Sequence, residues 1–483
     1  MSTETNDTEQ KASSTENNKP LNETSTADGA NTNDATSNTP NDADSATSNT
    51  PTPNAGKSKF GTLDTILVVA LRAVVGGVFI LSGFVKAIDL WGSVYKFSDY
   101  LHALNMEWLM GTVDFAAAVV ATVEFVLGVM LFTGCYRRLV PILLTAMMAV
   151  MTPLTLYLAL TDAVSDCGCF GDVITLTNWQ SFLKNVLLSL ALIYLIRKNG
   201  SVKNYYGVRV HWIVGIVSFL YIVQIEISGY AIQPLLDFRP FKIGTRLVSE
   251  EPQDEPTFTF IYSKGGQTRE FSIDSLPDDT WEFVERREHR PAYSADSVAS
   301  ERPYLAILDE DGEDITSDVI RTKGDQLLLL MPELDDTEIA YTYAINELYE
   351  YATTHSIAFT ALTSEAKPRA LAIWKDLSMA QYRMYRIDDS ILKQIARGNP
   401  ALVYLSDGVI RWKRAMHSID DVEQFSDPTF DISARYGNDR NTQHLRNIST
   451  LYGLILLWLL VVNRSISLAL WVVKRIRRAV GRG

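Results

Sequence analysis

Long apolar runs bounded by strongly polar stretches constrain this chain more than any other feature. They cover Leu63–Ile88, Val113–Phe132, Leu139–Leu160, Phe182–Ile196 and Val210–Ile232, and a sixth opens near Leu451. That last run is interrupted by Asn463 and Arg464 before it resumes to Val473. An α-helix needs about 20 apolar residues to cross the roughly 30 Å hydrocarbon core of a bilayer. Inside that core each backbone N–H and C=O must be satisfied within the segment, so the runs read as membrane-spanning helices. The mean hydropathy of +0.01 hides this segregation.

Two ionisable residues sit well inside spans, Arg72 in the first and Glu124 in the second. A charge in hydrocarbon is costly unless it faces the bundle and finds a partner, so mutual pairing of Arg72 with Glu124 is expected. Such a pair serves either as a polar clamp or as part of a proton or substrate path. Gly76-Gly77 and Ser82-Gly83 supply the small residues that let neighbouring helices approach closely.

Basic residues set the orientation. Arg137 and Arg138 follow the second span, Arg197, Lys198, Lys203 and Arg209 lie between the fourth and fifth, and Lys474, Arg475, Arg477, Arg478 and Arg482 follow the sixth. All three groups fall on the cytoplasmic side of an inner membrane if both termini are cytoplasmic. The loop after the third span and residues 234–447 then face a periplasm-like space.

That loop reads Asp166-Cys167-Gly168-Cys169-Phe170-Gly171-Asp172 and holds two of the three cysteines in the chain. A glycine between two thiols lets the backbone bend far enough to bring the sulfurs together. A disulfide across one residue closes a strained ring, and strained or exposed disulfides are the oxidising, labile ones. The flanking carboxylates of Asp166 and Asp172 disfavour the thiolate unless a cation comes near. The same residues could instead form a static clip, or bind a soft metal with a partner chain. Cys135, at the cytoplasmic end of the second span, is too far away to join them.

Residues 1–58 are almost devoid of large apolar side chains and are expected to be a disordered polar tail without the features of a signal peptide. A four-helix membrane domain over 59–200 and a fifth span within 201–233 follow. Residues 234–322 look β-rich: Thr257–Tyr262 alternates, and Lys264-Gly265-Gly266 is a turn signal. Residues 323–447 alternate strands and helices in the order β-α-β-α-β-β-α, an α/β layer. Residues 448–483 form the sixth span and a basic end. The net charge of −13 argues against a nucleic-acid partner and leaves the bilayer as the evident one.

The α/β layer is similar to the thioredoxin fold, in which a cis-proline precedes the β-hairpin where Pro400 stands here. That fold family carries C-x-x-C after its first strand. This chain has Pro332-Glu333-Leu334-Asp335-Asp336 there, and no cysteine anywhere in the region. The membrane block resembles the DoxX-like proteins. Its first helix carries Arg72-Ala-Val-Val-Gly76-Gly-Val-Phe79-Ile-Leu-Ser-Gly83-Phe-Val-Lys86, and its second Glu124-Phe-Val-Leu-Gly128. Asp166-Cys-Gly-Cys-Phe-Gly171, with Trp179, Lys184 and Asn185 beyond it, resembles the methylamine-utilisation MauE family over about residues 60–200. Pro240–Thr245 and Gly312–Thr316 resemble a Bacteroidetes DoxX-like family with the same appended outer region.

MauE-type proteins are implicated in disulfide formation during maturation of an exported dehydrogenase subunit, and related four-helix membrane oxidoreductases pass electrons to quinone. The resemblance therefore implies outward-facing thiol oxidation by Cys167 and Cys169. Asp166, Gly168, Phe170, Gly171, Arg72 and Glu124 would support the pair. An exported client or a thioredoxin-like protein would be the partner, and quinone is a candidate acceptor. Against this stands a non-enzymatic membrane scaffold whose cysteines are structural, since fold does not imply chemistry. Oxidation of a sulfur compound ranks below both, because no haem, flavin or metal-ligand pattern is present.

Overall fold

The computed structural model describes residues 60–164, 168–198, 204–248, 257–264, 267–272, 281–289 and most of 303–480. The polar tail and two loop residues singled out above, Asp166 and Cys167, lie outside the described residues.

Among the described residues, six helices are long and apolar enough to cross a membrane. They are α1 (Phe60–Ile88), α3 (Val113–Thr133), α4 (Leu139–Thr161), α5 (Asn178–Lys198), α6 (His211–Ala231) and α12 (Asn441–Val480). Helix α5 begins four residues before its apolar run, and α12 about ten before Leu451, because polar turns at helix ends carry no hydropathy signal. Helices α1 and α3 pack antiparallel, with their backbones nearly touching. A Cβ at Gly83 would lie 2.5 Å from the Phe125 nitrogen, and one at Gly128 would lie 2.7 Å from that of Ile80. Only glycine permits this contact.

The apolar runs give no hint of α2 (Leu90–Ala103), which is too short to span. Its N-cap is Asp89, whose carboxylate accepts a hydrogen bond from the Gly92 N–H at 3.0 Å. One face buries Leu90, Val94 and Tyr95.

Outside the helices, β1 (Thr257–Lys264), β2 (Gln267–Ser272) and β3 (Glu282–His289) form an antiparallel sheet in the order β2-β1-β3. A second sheet is built from β4 (Ile307–Leu308), β5 (Asp325–Met331), β6 (Ala358–Thr363), β7 (Arg383–Ile387), β8 (Ala401–Ser406) and β9 (Val409–Ala415). Its order is β4-β7-β6-β5-β8-β9, with β5, β6 and β7 parallel and β8 and β9 antiparallel. The one-turn α7 (Thr316–Val319) precedes β5, α8 (Thr342–Thr354) joins β5 to β6, α9 (Pro368–Ser378) joins β6 to β7, α10 (Asp389–Ile395) precedes β8, and α11 (Ile432–Tyr436) follows β9.

This is the thioredoxin-like layer expected from sequence, with one strand and one helix, α10, more than the expected order, and with a cis peptide between Asn399 and Pro400. Strand β5 is apolar from Leu327 to Met331 because it is buried on both faces. Leu327, Leu329 and Met331 face a core with Leu348, Trp374 and Trp412, while Leu328 and Leu330 face another with Ile307, Leu392 and Ile395. Phe241, Leu247, Leu305 and Val319 complete that second core, so it draws on chain from both sides of residue 322. The turn between β8 and β9 places Asp407 and Gly408 at φ +52° and +72°, as an Asp-Gly hairpin turn requires.

Candidate functional site

The described part of the thiol loop, Gly168 to Gly171, covers one end of the α1–α3–α4–α5 bundle. Gly168 and Gly171 both adopt left-handed backbone, at φ +54° and +53°. A Cβ at Gly168 would lie 2.9 Å from Lys96 Cγ on α2, so this glycine supplies both the turn and the close approach. Phe170 turns inward and is buried, with the Lys184 ammonium 4.6 Å from its ring centroid. Cys169 is half-buried and packs near Leu158 and Val164.

Beneath Cys169 lies a cavity of about 60 Å³. Phe79, Phe97, Met147, Met148, Met151 and Leu154 make its walls apolar, and Lys86, Glu124 and Ser82 provide its polar groups.

Glu124 meets Lys86, not Arg72. The Lys86 ammonium donates to both Glu124 carboxylate oxygens at 2.7 Å and to Ser82 Oγ at 3.1 Å. Lys86 is 9% exposed and Glu124 4% exposed, so this is a buried ion pair. Ser82 Oγ lies 2.7 Å from Glu124 Oε2 and 2.8 Å from the Cys169 carbonyl, and its single proton serves one of them at a time. The cluster thus ties α1 and α3 to the backbone of the thiol loop.

The expected Arg72–Glu124 pair is corrected by helix register. Antiparallel packing sets Gly83 beside Phe125 and Arg72 beside Gly134. Arg72 is therefore displaced from the Glu124 level by about 15 Å along α1. Its Nε–H donates to the Leu131 carbonyl at 3.3 Å, and its guanidinium lies 5.9 Å from the Tyr205 ring centroid. It has no part in the thiol site. Cys135 is fully buried at that same far end of α3, beside the Thr133 hydroxyl.

A second set of charges reaches the loop from the α/β domain. The Arg397 guanidinium donates to Asp172 at 2.6 Å, to both oxygens of Asp89 at 2.7–3.1 Å and to the Lys393 carbonyl at 2.8 Å. Burial disfavours an ionised Asp89, yet Arg397 and Arg239 hold its carboxyl below the usual range. The Tyr95 ring lies beside both cations, 4.7 Å from Lys393 Nζ and 5.6 Å from the Arg397 guanidinium carbon. Burial pushes the Tyr95 hydroxyl up to about 12, so it stays protonated. Gln233 holds the Arg397 backbone through hydrogen bonds to its N–H and C=O at 3.0 and 2.5 Å.

Sequence reasoning singled out the loop and Glu124 but did not identify Asp89, Lys96 or Arg397. It quoted Lys86 and Lys184 only as parts of a resemblance, and Ser82 otherwise only as a small packing residue. The Ser82–Lys86 spacing of one helical turn was the available signal for that pair. Nothing local marks Arg397, which lies 225 residues from its loop partner.

Residues 64–197 match the family described as methylamine utilisation protein MauE, the stretch in which the sequence resemblance was drawn. Residues 256–289, the β1–β3 sheet, match a family described as a domain of unknown function. No curated protein matches. Among solved structures, one match is described as the C-terminal domain of a thiol-disulfide oxidoreductase from Bacteroides thetaiotaomicron. It is 19% identical, and the match covers 23% of this chain and 82% of that domain at a TM-score of 0.20.

Proposed function

We propose that this chain, a multi-pass membrane protein with a MauE-like domain, carries out thiol–disulfide exchange through Cys167 and Cys169 on the outer face of an inner membrane. The observation that carries the reading is the seating of Cys169. Its carbonyl is held by Ser82 in the buried Lys86–Glu124 cluster, and glycines on either side of the Cys169-Phe170 pair bend the loop over the bundle.

In the oxidised state the two sulfurs form a disulfide across Gly168. A client thiolate attacks one sulfur, forming a mixed disulfide and releasing the other sulfur as a thiolate that takes up a proton. The client's second thiol loses its proton and attacks the client sulfur of that mixed disulfide. The client leaves with a disulfide, and two electrons and two protons remain on Cys167 and Cys169. An oxidised thioredoxin-like partner bearing its own disulfide accepts them by the reverse exchange. The outer domain has no thiol and takes no part in the electron transfer. The distribution of lysine and arginine described above supports this orientation, with both termini cytoplasmic and the loop outside.

The test is differential alkylation of the full chain in membranes equilibrated across glutathione redox buffers. A reversible couple that disappears in Cys167→Ser and Cys169→Ser is expected. Labelling of both thiols by a membrane-impermeant maleimide from the periplasmic side is expected too. Cysteines locked in one state across all buffers would make the loop a structural clip and overturn the reading.

A further inference from the structure

The end of the second sheet that bears the cis-proline is covered. The segment Arg397-Gly398-Asn399-Pro400 lies against α2 and the thiol loop: the Gly398 N–H donates to the Tyr95 hydroxyl at 3.4 Å, and Arg397 reaches Asp89 and Asp172. The Asn399 side chain turns back into its own domain, where it donates to the Glu333 carbonyl at 2.6 Å and accepts from the Thr337 hydroxyl at 3.1 Å. Asn399 thus binds the stretch where a C-x-x-C would otherwise stand.

We infer that Arg397 is a positioning residue of the Cys169 site: the α/β domain docks its cis-proline segment on the membrane domain and neutralises Asp172, three residues along the loop from Cys169. The inference rests on the thiol-exchange reading above and adds to it the control of that site by the outer domain. Three independent features converge on it. Asp172 lies three residues from Cys169, and an uncompensated carboxylate there would disfavour the thiolate. The Arg397 side chain is only 6% exposed, and its remaining contacts, to Asp89 and the Lys393 carbonyl, fix the guanidinium in place. Gly92 leaves room for it, since a Cβ there would lie 2.8 Å from Arg397 Nη2. Lys96, against Gly168, and Lys184, over Phe170, are the other cations on the described part of the loop.

The reasoning separates charge from architecture. Removing Arg397 leaves the loop with one more net negative charge, whereas removing the Asp172 carboxylate leaves it with one fewer. If the contact tunes the thiol, the two changes act in opposite directions. If it only holds the loop shut, both loosen the loop and both speed modification.

The experiment uses the full chain in membranes, with Cys167→Ser and Cys135→Ser so that Cys169 is the sole thiol, and measures its alkylation rate at pH 7. Arg397→Gln should slow the reaction about three- to tenfold and Asp172→Asn should speed it about threefold, the range of a half to one pH unit in thiolate fraction. Arg397→Lys should restore most of the rate, and Arg397→Gln with Asp172→Asn should return it close to the parent. Changes in the same direction, or changes below twofold in both, would overturn the inference. The measurement needs no redox cycling. A loop that responds to these charges but never cycles would refute the exchange reading alone.

Discussion

Replacing Lys86 with methionine tests the central cluster most severely. At 2.7 Å, opposite charges attract by about 6 kcal/mol at an effective dielectric of about 20. Methionine fills similar volume but leaves the Glu124 carboxylate buried with only Ser82 beside it. Lys86→Met should therefore destabilise the chain by about 4 kcal/mol, within the 3–5 typical of breaking a buried pair from one side. Unfolding of the full chain in detergent measures the loss. Lys86→Met with Glu124→Gln should recover more than half of it. A deficit below about 1 kcal/mol, or a double variant no better than Lys86→Met alone, would refute the buried-pair reasoning.

Two further outcomes follow from the packing and the outer domain. Gly83→Val should destabilise the bundle by about 1–3 kcal/mol or prevent its folding, because its Cβ would meet Ala121 and Phe125 backbone atoms within 2.6 Å. Gly77→Ala, with open space around it, should be neutral or gain about 0.5–1 kcal/mol, and melting in detergent compares the two. In the outer domain, burial alone would raise Asp237, but Arg239 and Lys413 hold it down at about 2 from an ordinary 3.8. A folded-state value below the unfolded one stabilises above the ordinary range and is lost as pH falls from about 4 to about 2. The loss should be about 2 kcal/mol, read from the near-UV signal of buried Trp412, and the acid dependence should vanish in Asp237→Asn.

Much of the architecture was legible because it is written in contiguous residues. Transfer into hydrocarbon and backbone hydrogen bonding depend on runs such as Leu139–Leu160, so the spans could be placed before any fold was known. The same holds for the buried strand at Leu327–Met331 and the Asp407-Gly408 turn. It also holds for a loop in which glycines follow each of the two cysteines closely enough to force a bend. Helix α2 was missed because a short amphipathic helix beside a membrane has neither the length of a span nor a break in composition at its ends.

The partners within the site were decided only by tertiary structure. Arg72 and Lys86 were both available to Glu124, and the choice was made by the register of two antiparallel helices, itself fixed by glycine contacts between α1 and α3. Arg397 became part of the thiol loop because the cis-proline segment docks on α2, bringing together charges that are 308 and 225 residues apart in the chain. Local sequence determines which segments leave water and how each one bends. Which charges neutralise one another depends on how those segments are juxtaposed, because Coulomb attraction and desolvation act over ångströms in space and are blind to distance along the chain.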